Sequence, residues 1–207
     1  MPHLWKQPLR LRLTRVLIVA ALPLLLQAQV VEFSSNGLNY QALTRAGLTI
    51  MYARMPVAIR EYGAIQVAVS NGGSTIRTLK ATDFVFHPDG AAAIRASSGS
   101  EVINDLFRHA GYNEVVKLQQ AYERVLYGNE HIRSSNGYEM RRLSALAFGN
   151  KGLKAAAAAS AIAFITSELT SGDSTDGAVF FSNRGQELGP GRIVIVVDGL
   201  EFEFGSL

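Results

Sequence analysis

The groups that could run acyl-transfer chemistry are few. Gly172-Asp173-Ser174 sets a serine beside a carboxylate, and catalysis at that serine would need a histidine held within hydrogen-bond reach as general base. Outside the first 28 residues the chain has only His87, His109 and His131. None lies four residues from another, the spacing that puts two imidazoles on one helix face for zinc, and no H-E-x-x-H occurs. His109 falls near the C-terminus of an expected helix, where a positive charge meets the favourable end of the dipole. Gly, Asp, Ser and Thr over 172–175 equally make a turn into a strand. That is the reading adopted, and it leaves no catalytic residue.

Metal and cofactor chemistry fares no better. The chain has no cysteine, which excludes thiolate nucleophiles, zinc–thiolate sites, iron–sulfur clusters and disulfides. Asp173 and Asp176-Gly177 lack the D-x-[DN]-x-[DN]-G spacing and the closing glutamate of a calcium loop. Asn71-Gly72-Gly73-Ser74 lies between two expected strands, whereas a phosphate loop opens a helix and ends in Lys-Ser/Thr. Glu201 and Glu203 stand about 7 Å apart on one strand face, as a solvated, edge-protecting pair does. No metal and no cofactor is expected. The remaining feature is aromatic: Tyr112, Tyr122, Tyr127 and Tyr138 gather in one helical stretch with Phe107 and Phe148. A tyrosine ring is apolar and its hydroxyl is not, which suits a contact surface. These four tyrosines are the expected contact residues, and packing of the helices onto a sheet is the competing explanation.

What positions such residues starts with a leader. MPHLWKQPLRLRLTR carries Lys6, Arg10, Arg12 and Arg15 and no acid, and an 11-residue apolar run, Val16 to Leu26, follows. A spanning helix needs about 20 residues and a signal-peptide core roughly 7 to 15. Cleavage is expected after Ala28, so that residues 1–28 form a signal peptide and no transmembrane helix remains. The whole chain has 20 Lys+Arg and 17 Asp+Glu. Removing the four leader cations leaves 16 against 17, a net charge of −1, so the basic balance belongs to export and carries no nucleic-acid footprint. An exported chain without disulfides is held by burial alone, and 179 residues are enough for that.

Residues 29–47 read as a polar entry segment. Period-two patterning then predicts strands over 48–55, where Leu48, Ile50 and Tyr52 share a face, and over 64–70. Pro56 is expected to end the first or to mark it as an edge strand. Asn71-Gly72-Gly73 reads as a turn, because glycine and asparagine tolerate positive φ. Strands at 75–79 and 83–87 follow. The period changes after Ser100, an expected N-cap. Helices are predicted over 101–110, 113–127 and 138–148, with 129–137 as loop. LKAAAAASAIAFITSEL (153–169) combines the best helix former with Ile162, Phe164 and Ile165. It is too short between Lys154 and Glu168 to span a bilayer and reads as a buried core helix. Strands return at 177–181, 191–197 and 200–204, the last two joined by Asp198-Gly199, a strong type I′ hairpin signal. A lone hairpin plus one strand would be marginal, so the last three strands are expected to close on the first four. Val194 and Val196 are expected to let 191–197 cover both faces of a central strand.

The pieces IQVAVSNGGSTIRTL, TDFVFHPDG, TDGAVFF and GRIVIVVDGLEFEF, in that order, resemble exported bacterial immunoglobulin-like sandwich proteins. The resemblance implies a fold and a compartment and no activity. The fold class expected is α+β: an immunoglobulin-like antiparallel β-sandwich spanning 48–207, with about four helices inserted over 100–169 between the fourth and fifth strands. The function expected is a non-enzymatic protein of the bacterial cell envelope, periplasmic or extracellular, that works through contacts with another envelope protein. A carrier of a small apolar ligand between helices and sheet is the second reading, and a hydrolase with an unrecognised site the third.

Overall fold

Two-residue hairpin loops organise the β-structure. In the computed structural model, which describes residues 29–35, 37–109, 111–127, 138, 140, 143 and 151–206, Asp198 and Gly199 both take positive φ, at 48° and 78°. This is the type I′ geometry that joins two right-twisted strands. Ala46 and Gly47 turn the chain in the same way, at 46° and 79°. A further loop of this length lies between Ser35 and Leu38.

The strands are β1 (Val31–Ser35), β2 (Leu38–Arg45), β3 (Leu48–Ile59), β4 (Tyr62–Asn71), β5 (Arg77–Leu79), β6 (Phe84–Pro88), β7 (Ile94–Arg95), β8 (Ser167–Leu169), β9 (Ser174–Ser182), β10 (Gly191–Val197) and β11 (Leu200–Phe204). The helices are α1 (Gly99–His109), α2 (Tyr112–Tyr127) and α3 (Lys151–Ile162). Every paired strand is antiparallel to its neighbour. The first sheet runs β1-β2-β3-β4-β9, the second β11-β10-β6-β7, and β5-β8 forms a small third sheet.

One buried cluster joins the two larger sheets. It holds Leu48, Ile50, Tyr52, Ile65 and Val67 from the first and Phe84, Phe86, Ile193, Ile195, Phe202 and Phe204 from the second. A second cluster lies on the opposite face of the first sheet, where Ala53, Met55, Ala64, Ala178 and Phe180 meet Val102 and Leu106 of α1, Tyr122 of α2 and Ala158 to Ile162 of α3. The first sheet is therefore the middle of three layers, covered by sheet on one side and by helices on the other. The alanines of α3 allow close approach: Ala163 bridges to Ala178, and the Phe164 amide donates to Ala178 O at 2.8 Å. A methyl group on Gly177 would come 2.5 Å from Phe164 Cα. Phe164 then turns its ring into the sheet-on-sheet core, 5.8 Å from the Phe84 ring.

Several expectations are corrected. Residues 31–45 are not an entry segment; they form β1 and β2, which pair in register with each other and with β3. Pro56 does not end β3. The pairing with β4 shifts between Arg54 and Ala58, and this irregularity takes the residue that cannot donate out of the ladder. Gly72 and Gly73 are not among the residues with positive φ. Asn71 shapes that bend through its side chain, donating to Thr75 O at 2.8 Å and Leu169 O at 2.9 Å and accepting from the Gly73 amide at 3.0 Å. The N-cap of α1 is Ser98, not Ser100: Ser98 Oγ accepts from the Glu101 amide, and the Glu101 carboxylate accepts from the Ser98 amide, both at 3.3 Å, a capping box. The early and late strands do not form separate layers. β9 joins β4 in the first sheet, while β10 and β11 join β6 in the second. β10 buries Ile193, Ile195 and Val197 but leaves Val196 exposed, because nothing among the described residues covers the outer face of the second sheet. Three helices, not four, are delimited among the described residues. The stretch 138–148 lies mostly outside them, its described members Tyr138, Met140 and Leu143 being helical. The loop 129–137 and the leader 1–28 also lie outside.

Candidate functional site

Two turns and one helix flank build a polar groove at the end of the first sheet. The β3–β4 hairpin turns at Arg60-Glu61 and the chain leaves β9 through Asn183-Arg184-Gly185, with Arg60 and Arg184 both at positive φ (52° and 55°). That conformation is costly for a residue with a Cβ and persists because the two turns are stitched together. The Asn183 amide donates to Glu61 O at 2.7 Å, and Asn183 Nδ2 donates to Glu187 O at 2.9 Å. Gly185 sits where an added methyl would come 2.8 Å from Arg60 O. The third wall is α1, whose Asp105 and His109 face each other across one turn at 2.9 Å. Together with Ala58 these residues line a groove of about 770 Å³.

The charges are arranged unevenly. Asp105 is engaged by His109, whereas neither Arg60 nor Arg184 makes an ion pair among the described residues, and both are exposed. Beside the groove, burial pushes the Tyr62 hydroxyl up to about 12, and the carboxylates of Asp105, Glu61 and Glu101 push it the same way. It stays protonated throughout the physiological range. The lining holds a histidine and two carboxylates and no serine, threonine or cysteine. Two guanidiniums without an ion pair among the described residues suit carboxylates or phosphates approaching from solvent.

Two of the four tyrosines, Tyr122 and Tyr138, are not surface residues. Tyr122 and Tyr138 are buried to within 1%, their rings 5.4 Å apart. The Tyr122 hydroxyl donates to Asp176 Oδ2 in a short hydrogen bond, and the Tyr138 hydroxyl donates to Glu123 Oε1 at 2.8 Å. They are the packing residues of the helical layer, and their polar tips are satisfied inside it. The side chains of Tyr112 and Tyr127 lie outside the described ones. What the helical segment does expose is Phe107, Met140 and Leu143.

Ser174 opens β9 in a shallow depression of about 290 Å³ lined by Ile165, Ser167, Glu168, Leu169, Asp173 and Thr175, with no histidine in it. The Asp173 carboxylate is held below its ordinary range by the Thr170 hydroxyl at 2.6 Å and the Thr170 amide at 2.8 Å, which ties it into the turn. His87 lies on β6, far from His109 in the pairing scheme, and His131 lies outside the described residues. No cluster of three metal-ligating side chains occurs among the described residues, and none of the described helices is long and apolar enough to cross a membrane. The groove was not foreseen, because 58–61, 105–109 and 184–185 are brought together only by the sheet. The one local signal was that Arg-Glu and Arg-Gly follow strand-like runs. No family model, no curated protein and no solved structure matches the chain.

Proposed function

We propose that the chain is an exported, non-enzymatic, immunoglobulin-like sandwich protein that works by contact with another protein of the bacterial cell envelope. The contact element is the helical insertion together with the groove that α1 walls, and the partner presents carboxylates to it. The observation that carries this reading is the pair of exposed, unpaired arginines on stitched turns, Arg60 and Arg184. Both side chains stand exposed beside Glu61 and Asp105 without an ion pair among the described residues, so each guanidinium can be engaged without breaking a contact of the fold. The carrier reading would need room between α3 and the sheet. Just past α3 the Phe164 backbone leaves no space for a methyl group on Gly177, while a hollow of about 420 Å³ opens beside Ile103, Ser160 and Ala163.

The test is capture of an envelope partner by the full exported chain, repeated with Arg60→Gln and Arg184→Gln together. Each charge-assisted hydrogen bond that the interface covers is worth about 1.5–3 kcal/mol, so the double variant is expected to weaken binding by at least ten-fold and to blunt its salt dependence. Undiminished binding by the double variant would remove the groove from the contact surface. Ester or glycoside hydrolysis by the purified protein, lost in His109→Ala, would replace the proposal with an enzymatic one.

A further inference from the structure

The first sheet has two edges, and they are treated differently. Along β9, Phe180 O accepts from the Ser97 amide at 2.9 Å and Ala178 O from the Phe164 amide at 2.8 Å. The segments entering and leaving the helical insertion thereby occupy that edge. Along β1 no described segment does so, because β1 ends the strand order. The register Ser35↔Leu38 across a two-residue loop makes 35/38, 33/40 and 31/42 the pairs that exchange hydrogen bonds with β2. The amides and carbonyls of Glu32 and Ser34 therefore point away from the sheet. Exposed edges are ordinarily blunted by charged side chains, proline or a bulge; VEFSS has no proline or lysine and one charge, Glu32, whose carboxylate accepts from Gln41 Nε2 at 2.6 Å. Val31, 58% exposed, stands beside the open edge.

We infer that this edge is the site at which a second copy of the chain adds, β1 pairing antiparallel with β1 about a two-fold axis at Phe33. The sequence of the strand selects this register. Centring on Phe33 sets Glu32 opposite Ser34 of the other copy and Ser34 opposite its Glu32, so both outward-pointing residues of each strand exchange both of their hydrogen bonds. Centring on Glu32 would place two carboxylates face to face and use only one such pair, and like charges directly opposite are unfavourable. Centring on Ser34 would carry Glu32 opposite residue 36, within the hairpin loop. In the chosen register Phe33, already stacked on Tyr40 at 5.1 Å, meets its own copy in the closer, non-hydrogen-bonded type of pair. The product is a continuous ten-stranded sheet closed by two-fold symmetry. The pairing uses an edge remote from the arginine groove and stands whether or not the groove binds a partner.

Because the chain has no cysteine, single introduced thiols report the register. In the full exported chain under mild oxidation, Phe33→Cys is expected to form a disulfide-linked dimer, since facing residues of such a pair lie within disulfide reach. Val31→Cys and Ser35→Cys, each opposite the other rather than itself, are expected not to cross-link alone and to do so when combined. Ser34→Pro removes an outward-pointing amide that the fold itself does not use. It should abolish the dimer seen by analytical ultracentrifugation while leaving the circular dichroism spectrum and Tm within a few degrees of the parent. A monomeric parent at every concentration, or cross-linking of Val31→Cys as efficient as that of Phe33→Cys, would overturn the inference. Dimerisation undisturbed by Ser34→Pro would overturn it equally.

Discussion

Toward the second sheet, the first sheet presents Leu48, Ile50, Tyr52, Ile65, Val67 and Val179; toward the helices it presents Tyr40, Ala53, Ala64, Gln66, Asp176 and Ala178. The two faces alternate along the same strands, so they share a backbone, a twist and a pairing scheme and differ only in side chains. On the sandwich side, branched and aromatic groups fill a layer about 10 Å thick, the usual spacing of stacked sheets. Three hydrogen bonds tie polar groups into that side: Arg54 donates to Gly191 O at 2.6 Å, Tyr52 to Gln41 at 3.1 Å and Gln41 to Glu32 at 2.6 Å. On the helical side, small residues draw backbones together and bury little apolar area each. Gln66 Oε1 lies buried there without a partner among the described atoms. At roughly 25 cal/mol per Å² of apolar surface, the aromatic core supplies most of the cohesion. The alanine and tyrosine core supplies the fit of one layer on another.

The sharpest attempt to break this contrast is Phe84→Ala. Phe84 is fully buried and its ring meets that of Phe164, so the substitution is expected to cost about 3–5 kcal/mol, read as a fall in the denaturation midpoint of the whole protein. A loss under about 1 kcal/mol would show that the sandwich core is not the source of stability. Tyr122→Phe acts on the other side. It removes the donor to the buried Asp176 carboxyl, at a cost of about 1–3 kcal/mol. By hydrogen exchange the amides of α1 and α2 should lose protection while those of β6 and β10 keep it. Equal loss in both would make the two cores one cooperative unit.

Alkaline titration sharpens the comparison further. Tyr52 in the sandwich core and Tyr62 in the helical one are each pushed to about 12, in both cases chiefly by burial. An unfolded tyrosine releases its proton near pH 10. Between pH 10 and 12 the unfolded chain loses protons that the native chain keeps, so the stabilisation is complete below pH 10 and disappears as pH rises to 12. For Tyr52 the loss is on the order of 2 kcal/mol. Tyr52→Phe should flatten the pH dependence of the unfolding free energy across that window, and an unchanged slope would contradict the assignment.

How far the sequence led depended on how local the determinant was. The β10–β11 hairpin was legible because Asp198-Gly199 and the alternation of Leu200, Phe202 and Phe204 lie within a dozen residues. The burial of the alanine-rich helix was legible at Ile162, but its expected extent to 169 was not. The helix stops at Ile162, Phe164 enters the sheet-on-sheet core, Ile165 is exposed and Ser167–Leu169 form β8. β1 and β2 escaped because Asn39, Gln41 and Thr44 break the apolar alternation, and their place is set by pairing with β3. Pro56 misled because a bulge, which depends on the partner strand, removes its penalty. Tyr122 and Tyr138 had the right composition for a surface and the wrong location. Their hydroxyls meet Glu123 and Asp176, and Asp176 lies 54 residues beyond Tyr122, a distance no periodicity spans. The groove needed three segments at once, and the leader and immunoglobulin-like reading rest on pattern alone.

The chain leaves for the helices at Ser97 and comes back at Phe164, and both residues bond to β9 at carbonyls only two positions apart. A 66-residue excursion therefore starts and finishes at one doorway. Such a junction accepts foreign cargo: a module of unrelated shape, spliced between those points, would ask nothing of the strands beyond a new cover for Tyr40, Met55, Tyr62 and Phe180. The same architecture could in this way wear different hats, each grafted where the present one is sewn on.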